Sequence, residues 1–374
     1  MAIRPVLSAL CCSLLLLASC EKTATPPKPA DSGANNPAPN LATNTPAQEP
    51  ELDLTAADFH RFGSKTAPAK ANGLVRLATY NIENLFDDID DPDLSGRYED
   101  IDDTKPAEHR RAVAEAIHAI DADILALQEI ESLEVLLAFR DEYLSDMGYE
   151  HVVSPDAGDE RGIEQAVLSR FPIVETRQWV GAELGGVHPA TYGSAENWYA
   201  GEPIRFHRSP LLVTVEVPAA ATSAEPYRLT LLAVHQKSGQ YSDYWRSREA
   251  AATMEIVEAF RQSEPARNLV ILGDFNAEPA DACILTYTGG GLRDLFAGKT
   301  GDEVITHSSG RRIDLILAND AVLPELRPDS AFVFGTTAGP EELDWNEAKQ
   351  LPGYASDHFP VVVDLHPVEQ AAGG

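Results

Sequence analysis

The chain has 374 residues, 44% of them hydrophobic, with a formal net charge of −30 and a pI near 4.6. It is long enough for one large domain or two modest ones, and apolar enough to bury a core. The charge excludes broad, non-specific attraction to a polyanion, but not a local site where metal ions supply the positive charge. The cysteines fall at 11, 12, 20 and 283. Only Cys283 lies beyond the N-terminal segment, so no internal disulfide framework is expected.

The chain begins "MAIRPVLSALCCSLLLLASC": Arg4, an apolar segment, then small residues before Cys20. The segment is too short and wrongly flanked for a membrane span, and reads as an export signal over residues 1–19. Leu17-Ala18-Ser19-Cys20 resembles a bacterial lipobox. The resemblance implies a lipidated Cys20 at the start of the mature protein, anchored in the cell envelope. Glu21, in place of an inner-membrane retention aspartate, favours the outer membrane. Residues 20–72 read as a disordered tether: the first thirty after Cys20 are rich in Pro, Ala and Asn and lack aromatics. About 50 such residues span on the order of 40 Å.

From Leu74 the texture changes, and residues 73–368 read as one domain, with 369–374 a disordered tail. "LVRLATYNI" (74–82) predicts a strand. The acidic stretch 87–103 reads as a solvated loop, because it lacks the fixed glycine and closing glutamate of an EF-hand. Residues 104–120 predict a helix, with Val113, Ala116, Ile117 and Ile120 at helical spacing. "DADILALQEI" (121–130) predicts a buried strand, and 133–147 a second amphipathic helix. Further strands are expected at 164–169, 211–217, 227–235, 269–275, 312–318, 331–334 and 359–365, and a helix at about 242–262. Short apolar runs joined partly by helices and partly by turns predict two stacked sheets with helices outside, an α/β sandwich.

Polar residues recur where these strands end. They are Asn81 and Glu83, Gln128 and Glu129, His235, Asp274 and Asn276, with Asp314 inside a strand and Asp357 and His358 just before one. In layered α/β folds, ligand sites collect at strand ends, where side chains can converge. Each residue alone reads more readily as a turn former or a core group; six strands with one bias do not. In 181–209, His188, Trp198, Tyr199, Arg205, His207 and Arg208 fit a substrate rim and an ordinary surface loop equally well.

"TYNIENLFD", "LQEIES", "HQKSG", "GDFNAEP", "RIDLIL" and "SDHFPV" resemble, in order, the motif series of the endonuclease/exonuclease/phosphatase superfamily. The resemblance implies the deoxyribonuclease I-like fold, a four-layer α/β sandwich of two packed mixed β-sheets flanked by helices. It implies metal-dependent hydrolysis of phosphoester bonds, with Mg2+ the usual ion and Mn2+ or Ca2+ as alternatives. Glu129 becomes the principal metal carboxylate, with Asn81 beside it and Glu83 and Asp357 as further metal-site residues. Asp274 would activate water, and Asn276 would bond the phosphoryl oxygen or the nucleophile. His358, held by Asp314, would contact the phosphate, and His235 would be a second donor. "LSRFPI" (168–173) reads as packing. The leading expectation is an exported nuclease-type phosphodiesterase, monomeric and lipid-anchored, with nucleic acid among its candidate substrates. The alternatives are a phospholipid or small-phosphate hydrolase, and a non-catalytic surface binding protein. Few phosphate contacts are expected, drawn from Arg205, Arg208, Lys237, Arg311 and Arg312.

Overall fold

The computed structural model describes residues 59–89, 104–219, 225–340, 343 and 345–369. The export signal, most of the tether, most of the acidic stretch and residues 370–374 lie outside these. In chain order the elements are β1 (Val75–Leu85), α1 (Ala107–Ile120), β2 (Ile124–Ile130), α2 (Leu133–Tyr143), β3 (His151–Val153), β4 (Glu164–Ser169), β5 (Ile173–Arg177), β6 (Glu183–Val187), β7 (Thr191–Tyr192) and β8 (Ala195–Glu196). Then follow β9 (Pro203–Arg205), β10 (Leu211–Val217), β11 (Tyr227–His235), α3 (Asp243–Ser263), β12 (Leu269–Asp274), α4 (Ala282–Gly289), β13 (Arg293–Asp294), β14 (Asp314–Ala318), β15 (Leu326–Val333), α5 (Trp345–Ala348) and β16 (Val361–Leu365).

Two six-stranded sheets carry the fold, in the orders β15-β16-β1-β2-β4-β3 and β13-β14-β12-β11-β10-β5. Each is mixed: β1 runs parallel to β2 and β11 to β12, and the other pairs are antiparallel. Strand alternation assigns the faces. Leu77, Ile124, Leu231, Leu272, Ile316 and Val363 meet in a core between the sheets. Ala78, Tyr80, Leu125 and Leu127 point the other way and pack under α1 and α2 through Val113, Ile117 and Leu136. Leu232, Ile271, Leu315 and Leu317 do the same under α3 and α4 through Val257 and Ile284. The result is the expected four layers, helix–sheet–sheet–helix.

Local chemistry sets the ends of the helices. Ser132 caps α2, its Oγ accepting from Val135 N at 3.2 Å. α1 stops where Asp121 turns left-handed at φ 48°. The stretch 59–72, expected in the tether, makes contacts with the domain: Phe62 is buried in the inter-sheet core, and Ser64 N donates to Val333 O at 2.7 Å. The expected strand at 331–334 starts earlier, at Leu326. β3, β5, β13, α4 and the small pairs β6–β9 and β7–β8 were not anticipated. In "LSRFPI", Ser169 Oγ donates to Phe171 O at 2.8 Å, and Phe171 packs against the inter-sheet core. No helix of the described residues is long and apolar enough to cross a membrane.

Candidate active site

The inward rows of both sheets turn polar at the same end of the sandwich. On β1 the row is Val75, Leu77, Thr79, Asn81; on β12 it is Val270, Leu272, Asp274; on β11 it ends Leu231, Ala233, His235. Register then sets neighbours: Asn81 lies opposite Gln128, and His235 and Asp314 each lie opposite Asp274. Period-two geometry alone therefore delivers Asn81, His235, Asp274 and Asp314 to one place.

Glu129 needs a further device. Alternation would send it outward with Leu125 and Leu127. Its φ of 66° re-aims it, so that Asn81 Nδ2 donates to its Oε1 at 3.1 Å and Asn84 N to its Oε2 at 3.0 Å. Glu83, Asn84 and Asn276 are also left-handed, at φ 53°, 49° and 49°. Four of the five non-glycine residues in that region, among the described residues, thus belong to these polar strand ends. Such strain concentrates where function over-determines the backbone.

One carboxylate oxygen is the focus. Asp274 Oδ2 accepts from Asn276 Nδ2 at 3.1 Å and from Asn81 Nδ2 at 3.2 Å, with His235 Nε2 at 3.5 Å and His358 Nε2 at 3.8 Å. Its Oδ1 accepts from Asn276 N at 2.7 Å. Asp274 is 1% exposed. Burial pushes its carboxyl up to about 7, with Asp314 and Glu129 adding repulsion and His358 opposing. His358 Nδ1 donates to Asp314 Oδ2 at 2.8 Å. Burial alone would discharge that imidazole; Asp314, Asp274 and Asp357 outweigh it and hold it well above the usual histidine range. His235 shifts the other way, held neutral by burial and by nearby Arg208. The site thus places a charged and a neutral imidazole against one carboxylate.

The donor chemistry fits a hard divalent cation. Glu129, Asp274, Asp314 and Asp357 bring four carboxylates together, and Asp314 Oδ1 is buried with no hydrogen-bond donor. Asp274, Asp314 and His358 place ligand atoms within 4.8 Å of one another, as do His307, Asp357 and His358. Oxygen-rich sets of this kind suit Mg2+, Mn2+ or Ca2+. Asn81 and Glu83 are less simply placed. Asn81 meets the cluster through its amide nitrogen, and its Oδ1 accepts from Glu83 N at 3.0 Å. The Glu83 carboxylate is engaged by Lys349 Nζ at 2.8 Å and Tyr354 OH at 2.7 Å.

The profile of the Endonuclease/Exonuclease/phosphatase family matches residues 78–358. The chain belongs to that family. It is accordingly a phosphoric ester hydrolase with a candidate buried metal site. No curated protein matches its sequence. Similar solved structures include the human Nocturnin catalytic domain with bound sulfate, at 16% identity and TM-score 0.47, covering 79% of this chain and 95% of that one. The mannosyl-6-phosphatase of Bacteroides thetaiotaomicron is similar at 17% identity and TM-score 0.47, covering 78% and 99%. A family member from Bacteroides vulgatus is similar at 16% identity and TM-score 0.49, covering 79% and 99%.

Sequence reasoning missed His307, which no strand pattern marks. It reaches the site through a β-bridge to His358, and their rings stand 4.6 Å apart. Its tautomer follows from its neighbours. Arg311 Nε donates to Ser309 Oγ at 2.9 Å, and Ser309 N donates to His307 Nδ1 at 3.0 Å, with Ser309 Oγ at 2.7 Å from the same nitrogen. Nδ1 is therefore an acceptor, which leaves the ring N–H on Nε2, 3.3 Å from Asp357 Oδ2. His307 is a positioning residue for Asp357. His307→Leu should cost about 10–100-fold in activity or metal affinity, the range for outer-shell partners, and His307→Gln should recover most of it. Nitrogen chemical shifts of the ring should show the Nε2–H form; an Nδ1–H form would refute the assignment.

Proposed function

We propose that the protein is a metal-dependent phosphodiesterase of nuclease type, exported, monomeric and held at the bacterial envelope by lipid on Cys20. The observation that carries the catalytic reading is the ring of four nitrogens around Asp274 Oδ2, drawn from both sheets. In this reading that oxygen orients an attacking water and takes its proton. Asn276, which also donates to Gln236 O at 3.1 Å, fixes the carboxylate and lies within reach of the nucleophile. His358, with its Nδ1–H on Asp314, presents a cationic Nε2 to a phosphoryl oxygen. His235, with Nε2 3.7 Å from Glu129, would serve as the donor to the leaving oxygen. Asn81, Glu129 and Asp357 are the residues we assign to Mg2+, the ion of choice for this oxygen set, with Glu83 behind them through its backbone N–H. A bound divalent ion supplies charge neutralisation of the phosphoryl group and lowers the pKa of coordinated water.

The net charge of −30 supports short or small phosphodiesters over long duplex, since the summed field repels an extended polyanion. A panel of plasmid, RNA, sphingomyelin, bis(p-nitrophenyl) phosphate and sugar phosphates, each with Mg2+, Mn2+ or Ca2+, tests the reading. Cleavage of a phosphomonoester with every diester untouched would refute it. Cys20→Ala should block lipid addition and move the protein out of the membrane fraction or stall its processing, because stable attachment takes more than one acyl chain. Labelled lipid precursor on the Cys20→Ala protein would rule out the anchor.

A further inference from the structure

In a chain with 59 acidic and 29 basic residues, a half-buried cation is expected to sit on a carboxylate. The arginines expected to touch phosphate mostly do so. Arg205 pairs with Glu183 at 3.2 Å, Arg208 with Asp159 at 2.5 Å and Arg312 with Asp294 at 2.7 Å. Two cations beside the site do not. Arg161 Nη2 donates to the neutral Asn84 Oδ1 at 2.8 Å, and its Nε is buried without a hydrogen-bond partner. Lys237 Nζ donates to Ser238 O at 3.1 Å and lies 5.9 Å from the Trp245 ring centre. Neither forms a side-chain ion pair among the described residues.

Their placement is specific. Asn84, which holds Arg161, donates its own N–H to Glu129. Lys237 follows Gln236, whose carbonyl accepts from Asn276. The two therefore flank the site from the Glu129 side and the Asn276 side. Glu249, a buried residue of α3, fixes the second flank by accepting from Lys237 N and His207 N, both at 3.0 Å. Burial and then Arg208, Lys237 and Arg161 together keep the His207 ring neutral, so both cations reach that ring electrostatically. Burial and Arg208 also push the Lys237 amine down to about 8, outweighing Glu249 and Asp159, which act in the opposite sense without forming an ion pair with it.

We infer that Arg161 and Lys237 form an anion subsite for a second phosphate, adjacent to the one cleaved. The inference rests on the phosphodiesterase reading and narrows its substrate to molecules carrying phosphate on both sides of a nucleoside or similar spacer. Guanidinium and ammonium groups that form no side-chain ion pair are suited to that charge. Two contacts also agree with an acidic protein whose binding should depend only weakly on salt.

The test has two arms on the full chain. In the first, inorganic pyrophosphate is titrated calorimetrically in the presence of EDTA. Arg161→Gln and Lys237→Gln should each weaken binding at least about tenfold relative to wild type, whereas Arg205→Gln, at an exposed ion pair, should match wild type. Absent wild-type binding, or equal affinity in both variants, overturns the subsite. In the second, kcat/KM is compared for a thymidine dinucleotide with and without a terminal phosphate at either end. Wild type should prefer one phosphorylated form, and both variants should lose that preference through KM. Diester cleavage without such a preference overturns the subsite and leaves the phosphodiesterase reading standing. If no diester is cleaved, the reading fails and the pyrophosphate titration still decides the subsite.

Discussion

Asp274→Asn is expected to lower phosphodiester turnover by roughly 10²–10⁴-fold, the usual worth of a positioned acid–base group. The amide keeps shape and volume but takes no proton. It also puts an N–H₂ where Asn81 Nδ2 and Asn276 Nδ2 already donate, at 3.2 and 3.1 Å. That donor conflict is offset by removal of a desolvated carboxylate crowded by Asp314 and Glu129. Thermal stability should therefore change little. His358→Ala should show a comparable loss, since the cationic Nε2 then disappears. On the proposed reading the two groups act in one transition state, so the double variant should lose little more than the worse single. Rates for the three variants on one substrate settle this. A folded Asp274→Asn protein working near wild-type rate would remove Asp274 from the chemistry.

Gly273→Ala should be the most damaging small change to the fold, at about 3–4 kcal/mol. Gly273 has φ 137°, outside what an L-residue with a side chain adopts readily, and a Cβ there would stand 2.0 Å from the Val234 carbonyl oxygen. The contact is with backbone, which cannot swing aside. Gly273 pairs with Val234 one step before His235 pairs with Asp274, so separating β11 from β12 here pulls two site residues apart. Activity should fall together with the urea midpoint. A midpoint equivalent to a loss under about 1 kcal/mol would show that the strands adjust at this point.

Much of this was legible because alternation is a local rule. The apolar runs at 164–169, 211–217 and 227–235 became strands with those bounds, and their inward rows named His235 before any contact was known. Asp274, Asn276, Asp314 and His358 were legible for the same reason, as polar groups at the ends of, or within, otherwise apolar strands. What resisted reading was non-local or broke the alternation. Glu129 was named as a strand-end residue, but the left-handed turn that aims it inward was not legible, and His307 was missed because it reaches the site only through a bridge between two loops. Arg161 lies in a turn whose neighbours in sequence, Asp159 and Glu160, suggest a paired surface arginine. The ion pairs that remove Arg205, Arg208 and Arg312 from the candidate phosphate contacts join residues 18 to 49 positions apart, or cross the short β6–β9 sheet. Strands β3, β5 and β13 are short edge pieces whose pairing depends on their neighbours and not on their own pattern.

The central claim is that the carboxylate cluster around Asp274 performs metal-assisted phosphodiester hydrolysis. Its most direct test is release of p-nitrophenolate from bis(p-nitrophenyl) phosphate by the purified full chain across a Mg2+ series, with a chelator arm. The account predicts release that rises with Mg2+ to saturation, stops with EDTA and returns when Mg2+ is restored. Release that EDTA leaves unchanged, or no release with any of Mg2+, Mn2+ or Ca2+, would contradict it.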